Sequence, residues 1–170
     1  MIGIGHKFPE FSMYAAMPNG NAIELITNEH LIGDWAVIYF YPKDFTFICP
    51  TEISEIDAIK EQEIANVLGI SGDNEYCKVA WKTSSGMIRN IQHPLAADSG
   101  LYLAHECGVV SIEGVCLRAT FILDPYGTVQ HASVNALDTG RNSKEILRTV
   151  QALKAGGLTG CNWTPGNKLL

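Results

Sequence analysis

Seven apolar or aromatic residues stand in an unbroken row at Trp35-Ala36-Val37-Ile38-Tyr39-Phe40-Tyr41. A run of this length, rich in β-branched and aromatic side chains, predicts a central strand buried on both faces. Pro42 ends it. Pro50 then limits where a helix can begin, because proline is tolerated only in the first helical turn. Ile53, Ile56, Ile59 and Ile64 recur at roughly helical spacing, with Glu55, Asp57, Lys60 and Glu61 between them. This predicts a helix from about 46–50 to about Asn66. Residues 67–71 read as a second short strand that stops at Gly72-Asp73, and Asn74 can cap a helix through Trp81. Further on, the pattern predicts a short strand over 93–97, a short helix over 101–107 and a β-rich strand over 115–123. Asp124-Pro125-Tyr126-Gly127 is a turn, and 128–134 is its return strand. Asn142 or Ser143 opens a last helix through about Ala155, and Gly156-Gly157 ends it. The tail from Leu158 to Leu170 shows no periodicity.

Strand, helix, strand, helix, a hairpin and a final helix describe an α/β fold with a mixed central sheet flanked by helices. A thioredoxin-like fold is its simplest match. The 170 residues fit one domain over 1–155, with a short tail over 156–170. A net charge of −6 argues against non-specific binding to nucleic acid or to an anionic membrane surface. The longest clean apolar run is far too short to span a bilayer, and Lys7, Pro9 and Glu10 interrupt any secretory h-region. The expectation is a soluble, cytoplasmic protein. Gly3-Ile4-Gly5 has no strand before it, and no phosphate-binding glycine loop occurs.

Cysteine is where the chemistry enters. The five cysteines, at 49, 77, 107, 116 and 161, contain no C-x-x-C pair. In a reducing compartment such a set reads as free thiols, and any disulfide as catalytic and transient. Cys77, Cys107 and Cys116 read as buried or incidental. Histidines 6, 30, 93, 105 and 131 form no i, i+4 pair, so no metal site is expected. Cys49 is different. A buried small hydrophobe is the usual fate of cysteine. Here, however, the thiol follows a strand and opens a helix, beside unpaired N–H groups and the positive end of the dipole. Both favour thiolate, the nucleophilic form. Thr46 lies about one turn earlier, with a hydroxyl able to reach the sulfur or an incoming oxygen. Pro42, rigid and without an N–H, can shield the sulfur from water.

Pro42-x-x-x-Thr46-x-x-Cys49, inside Phe40-Tyr41-Pro42-Lys43-Asp44-Phe45-Thr46-Phe47-Ile48-Cys49-Pro50-Thr51-Glu52, resembles the peroxidatic loop of the peroxiredoxins. The nearest likeness is to the typical two-cysteine branch that includes the alkyl hydroperoxide reductase C subunit. The resemblance extends to Ala80-Trp81, to the arginine-bearing strand and hairpin from Leu117 to Gly127, to Gly140-Arg141-Asn142 and to the tail Cys161-Asn162-Trp163. It implies a thioredoxin-like peroxiredoxin domain over 1–155 and a C-terminal tail with a candidate resolving cysteine over 156–170.

By that resemblance Cys49 is the peroxidatic nucleophile, and Thr46 and Arg118 stabilise the charge that moves across the O–O bond. Glu52 orients Arg118, and Arg141 is a second supporting cation. Cys161 resolves the Cys49 sulfenic acid as a disulfide, between subunits. In most relatives the resolving cysteine lies four residues before the tail tryptophan, where this chain has Thr159. Cys161 lies two before Trp163, as in an actinobacterial-type branch that carries cysteines at both positions. The runner-up for resolution is an external thiol.

The implied activity is reduction of hydrogen peroxide and organic hydroperoxides with no bound cofactor. Electrons come from a dithiol protein: a thioredoxin, or an F- or D-type partner of alkyl hydroperoxide reductase. Homodimers, and rings of dimers, follow by resemblance alone. A redox-regulated chaperone and a peroxide sensor are the alternatives on the same scaffold.

Overall fold

The apolar run becomes an interior strand of a seven-stranded sheet. A computed structural model describes residues 1–170. In chain order the elements are β1 (Ser12–Ala16), β2 (Ile23–Thr27), a 3-10 turn at Asn28–His30, β3 (Ala36–Phe40), α1 (Ile48–Glu61), β4 (Asn66–Ser71), α2 (Glu75–Ser84), β5 (Leu95–Ala97), α3 (Tyr102–Cys107), β6 (Arg118–Leu123), β7 (Val129–Asn135) and α4 (Ser143–Ala155). The sheet order is β2-β1-β5-β4-β3-β6-β7. β3 pairs parallel with β4 and antiparallel with β6, so the sheet is mixed. Every residue of β3 and of β6 is buried.

Side chains alternate across the sheet, and each face has its own core. Ala36, Ile38 and Phe40 join Leu68, Ile70, Phe121 and Leu123 on the face covered by α3 and the N-terminal segment around Phe8 and Phe11. Val37 and Tyr39 join Val67 and Ile122 on the other, under Ile53, Ile56 and Ile59 of α1 and Ile146 and Val150 of α4. Cys49 and Tyr41 belong to this second core. Arg118 has the same parity as Ile122, so β6 aims it at the α1 side.

Three expectations need correction. β1 and β2 form an antiparallel hairpin, Ser12↔Thr27 to Ala16↔Ile23, where no element was expected. Its turn runs through Gly20 at φ 60, a conformation glycine adopts without strain. α1 stops at Glu61 and not near Asn66. The step from Ile59 to Ile64 is five residues, which leaves the helical stripe. Glu63 turns left-handed at φ 54, and Asn66 already opens β4, its N–H donating to Trp35 O at 2.8 Å. Finally, β6 starts at Arg118 and not at 115, because Cys116 makes only an isolated bridge to Val110.

Candidate active site

The loop 41–47 carries the chain from the end of β3 to the start of α1. Phe47 is the N-cap of α1, and no side chain caps the helix. The first-turn N–H groups are therefore left to the sulfur and to whatever lies beside it. Pro50 falls within the first turn, where its missing N–H removes no helical bond. Cys49 itself is completely buried.

Two arginines and one carboxylate surround it. Arg118 Nη1 donates to Cys49 Sγ at 3.4 Å and to Glu52 Oε2 at 2.7 Å, and its Nε donates to Leu137 O at 2.7 Å. Arg141 Nη2 donates to Glu52 Oε2 at 2.8 Å and its Nε to Glu52 Oε1 at 3.1 Å. The Arg141 backbone N–H adds a bond to Glu52 Oε1 at 3.0 Å. Arg141 Nη1 is anchored on Phe40 O at 2.7 Å and Ala119 O at 2.9 Å. All three side chains are at most 5% exposed. Glu52 thus neutralises part of a double positive charge and fixes both guanidinium planes. Arg118 alone among them touches the sulfur.

Thr46 is half-buried, and its hydroxyl donates to Lys43 O at 2.8 Å. Its proton is thereby committed, and its lone pairs stay available to accept from a bound O–H. Pro42 is half-buried and lines a cleft with Lys43, Asp73 and Glu113. Both lie on the Cys49 loop, but neither is a hydrogen-bond partner of the sulfur.

Cys161 is not brought to Cys49 within the chain, and all five cysteines are free. Cys161 is exposed and lines a cleft with Arg148, Ala152 and Leu153 of α4. The tail around it is closed. Leu170 N–H donates to Leu158 O at 2.9 Å, the buried Trp163 donates through Nε1 to Asn167 O at 3.1 Å, and Arg148 Nη1 holds Trp163 O at 3.0 Å. Cys107 and Cys116 are fully buried, and burial pushes both thiols up to about 12. Cys77 is half-buried on α2, and burial together with nearby Asp44 raises it as well.

Two buried polar clusters behind the site have no counterpart among the sequence expectations. Tyr39 OH lies 2.7 Å from His93 Nε2, and His93 Nδ1 lies 2.5 Å from Asp57 Oδ1. With Asp57 holding a proton on Nδ1, Nε2 is left to accept from the phenol. Gly69 makes room for this, since a Cβ there would stand 2.5 Å from the Tyr39 oxygen. Burial holds the Tyr39 phenol well above its ordinary range, against the opposing pull of Arg141, whose guanidinium lies 5.1 Å from the ring centroid. The second cluster joins Lys78 of α2 to Tyr41, Asp44 and Ser71. One signal points to it: Lys78, Trp81 and Lys82 share one helical stripe, and all three are buried.

The family model described as the AhpC/TSA family matches residues 4–132. Alkyl hydroperoxide reductase C of Mycolicibacterium smegmatis is 37% identical over 180 residues, covering 98% of this chain and 92% of that protein. The chloroplastic 2-cysteine peroxiredoxin of Chattonella marina var. antiqua is 38% identical, covering 99% and 92%. Among solved structures, reduced 2-Cys peroxiredoxin of Plasmodium vivax superposes with a TM-score of 0.91 at 34% identity, covering 99% of this chain and 92% of that one. AhpC of Mycobacterium tuberculosis does so with a TM-score of 0.87 at 32% identity, covering 96% and 99%.

Proposed function

The chain belongs to the AhpC/TSA family, and from that membership we infer a thiol-dependent peroxidase whose nucleophile is Cys49. Its fold is thioredoxin-like, and it is an oxidoreductase. The observation that carries the assignment to Cys49 is the 3.4 Å contact from Arg118 Nη1 to a buried sulfur at a helix start.

The Cys49 thiolate attacks one peroxide oxygen in line. The S–O bond forms as the O–O bond breaks, and the leaving oxygen takes a proton to depart as water or an alcohol. Cys49 is left as a sulfenic acid, oxidised by two electrons. Negative charge moves from sulfur across the two oxygens during this step. Arg118 is already aimed at that path, and Glu52 with Arg141 holds it there without reorganisation. The Thr46 oxygen can accept the peroxide O–H and so select the oxygen that stays protonated.

Cys161 then attacks the oxidised sulfur and displaces its hydroxyl, giving a disulfide and water. Its position on the outer side of α4 supports a reaction with Cys49 of a second copy of the chain. A dithiol reductant protein, such as a thioredoxin or an F- or D-type partner, returns the two electrons. Free thiols throughout the chain fit a reducing compartment such as the cytoplasm. Stopped-flow mixing with hydrogen peroxide tests the nucleophile. Wild type reacts in a second-order phase that Cys49→Ser lacks, and a rate that survives that substitution overturns the assignment.

A further inference from the structure

Lys78 is a lysine with no exposed surface. Its ammonium donates to Ser71 Oγ at 2.5 Å, to Tyr41 OH at 3.1 Å and to Asp44 Oδ1 at 3.3 Å, and it lies 5.0 Å from the Tyr41 ring centroid. Three partners use all three of its donors. Desolvating an ammonium is costly, so a fold keeps one inside only where such partners replace water. Asp44 Oδ1 also accepts from Tyr41 OH at 2.8 Å and from Ser71 Oγ at 3.1 Å, while its buried Oδ2 has no partner. The Asp44 backbone N–H donates to Asp73 Oδ2 at 2.8 Å.

Tyr41 and Asp44 bracket Pro42 and Lys43, and the Lys43 carbonyl receives the Thr46 hydroxyl. Between Asp44 and Thr46 stands Phe45 at φ 55, a left-handed conformation that strains a bulky residue. Its ring packs 6.0 Å from Trp81, centroid to centroid. Lys78 and Trp81 lie one turn apart on α2. One helix therefore holds successive parts of the segment that leads into Cys49, against the local preference of Phe45.

We propose that Lys78 is a positioning residue for peroxide reduction, which fixes Tyr41 and Asp44 from α2 and so sets the loop 42–47 that carries Thr46 to Cys49. It bonds to none of Cys49, Arg118 and Glu52, so it acts through the loop. The proposal rests on the peroxidase reading of Cys49.

A pH signature follows. The groups facing the ammonium are Asp44 and Tyr41 on the loop, Ser71 and Asp73 at and beyond the end of β4, Cys77 on its own helix and Cys116 ahead of β6. Burial lowers Lys78 below the ordinary lysine range, with Asp44 and Asp73 opposing. Burial holds Tyr41 well above its ordinary range and Cys116 up at about 12. As pH rises, the lysine loses its proton ahead of these two, and Asp44 loses its counterion.

The test is the second-order rate constant for hydrogen peroxide in a single turnover, across pH, for wild type, Lys78→Met and Lys78→Met with Asp44→Asn. In wild type the constant falls on the alkaline side. Both variants lose at least tenfold near neutrality, and their alkaline fall is absent. The double variant removes both charges of the buried pair and so leaves neither of them stranded, which makes it the second variant on which the proposal can fail. A folded variant of either kind within twofold of wild type overturns the proposal, as does an alkaline fall that persists without Lys78. A wild type that fails to react at all refutes the peroxidase reading itself and not the role of Lys78 alone.

Discussion

Arg118 Nη1 donates to Cys49 Sγ at 3.4 Å across 69 positions of sequence. The contact exists because β6 pairs antiparallel with β3 and shows its even-numbered side chains to α1. A fixed cation at the sulfur stabilises the charge of the attack more than that of the resting state, since charge spreads from sulfur to oxygen as the bond forms. Arg118→Ala is expected to slow peroxide reduction by about 10²–10³-fold, the usual cost of losing one preorganised donor. Arg118→Lys should recover only part of the loss, because an ammonium at the Nη1 position cannot also make the Nε bond to Leu137 O that aims the guanidinium. Rapid mixing of each variant with hydrogen peroxide gives the constants. Equal rates for wild type and Arg118→Ala would remove Arg118 from the mechanism.

Glu52 is the acceptor on which both guanidinium groups converge, at 2.7 and 2.8 Å on Oε2. Its removal leaves two buried cations facing each other without a carboxylate. Glu52→Ala should cost about 3–5 kcal/mol of stability, the range for breaking a buried pair from one side. Glu52→Gln keeps an acceptor and should cost less. Urea unfolding measures both. The peroxide rate should fall with each, because Arg118 loses the partner that orients it.

The strand-to-helix geometry around Cys49 is legible in the sequence, because Trp35–Tyr41 is long, β-rich and stopped by Pro42. So is the need of Arg118 for a carboxylate, since it sits in an apolar strand, while the choice of Glu52 comes with the family resemblance. Other features depend on tertiary context. The β1–β2 hairpin has little clean apolar alternation, and β1 joins the sheet through β5, from a distant part of the chain. Tyr39 comes from β3, Asp57 from α1 and His93 from the loop before β5, and nothing in their spacing brings them together. Lys78 falls within the helix expected through Trp81, and its one signal is the stripe it shares with Trp81 and Lys82. Here the buried stripe of α2 itself carries two lysines, and the partners that make this possible for Lys78 lie on the loop and at the end of β4.

The thiols should separate by reactivity in the folded protein. Cys161 is exposed, Cys77 is half-buried, and Cys107 and Cys116 are buried with thiols held up at about 12. Under brief iodoacetamide treatment near pH 8, peptide mass spectrometry should find Cys161 modified first. Cys107 and Cys116 should stay unmodified until denaturant is added. Labelling of Cys107 or Cys116 at the rate of Cys161 in native protein would mean that the α3 face of the sheet opens far more readily than its packing implies.

Resolution is the remaining step, and the closed tail bears on it. Cys161 sits in a segment whose ends are tied by Leu170 to Leu158 and whose middle is pinned by Trp163 and Arg148. Cys49 is completely buried beneath Arg118. Cys161 is exposed, so the opening that a disulfide between them requires lies at least on the Cys49 side. If Cys161 resolves Cys49 of a second copy, one equivalent of peroxide should turn wild type into a covalent dimer on non-reducing electrophoresis. Cys161→Ser should run as a monomer, with its Cys49 sulfenic acid trapped by a dimedone probe. Trp163→Ala should loosen the tail and speed disulfide formation after a given peroxide pulse, with little change in the first, peroxide-reducing step. A covalent dimer that persists in Cys161→Ser would assign resolution to another thiol. A wild-type monomer bearing a Cys49–Cys161 disulfide would place the step within one chain.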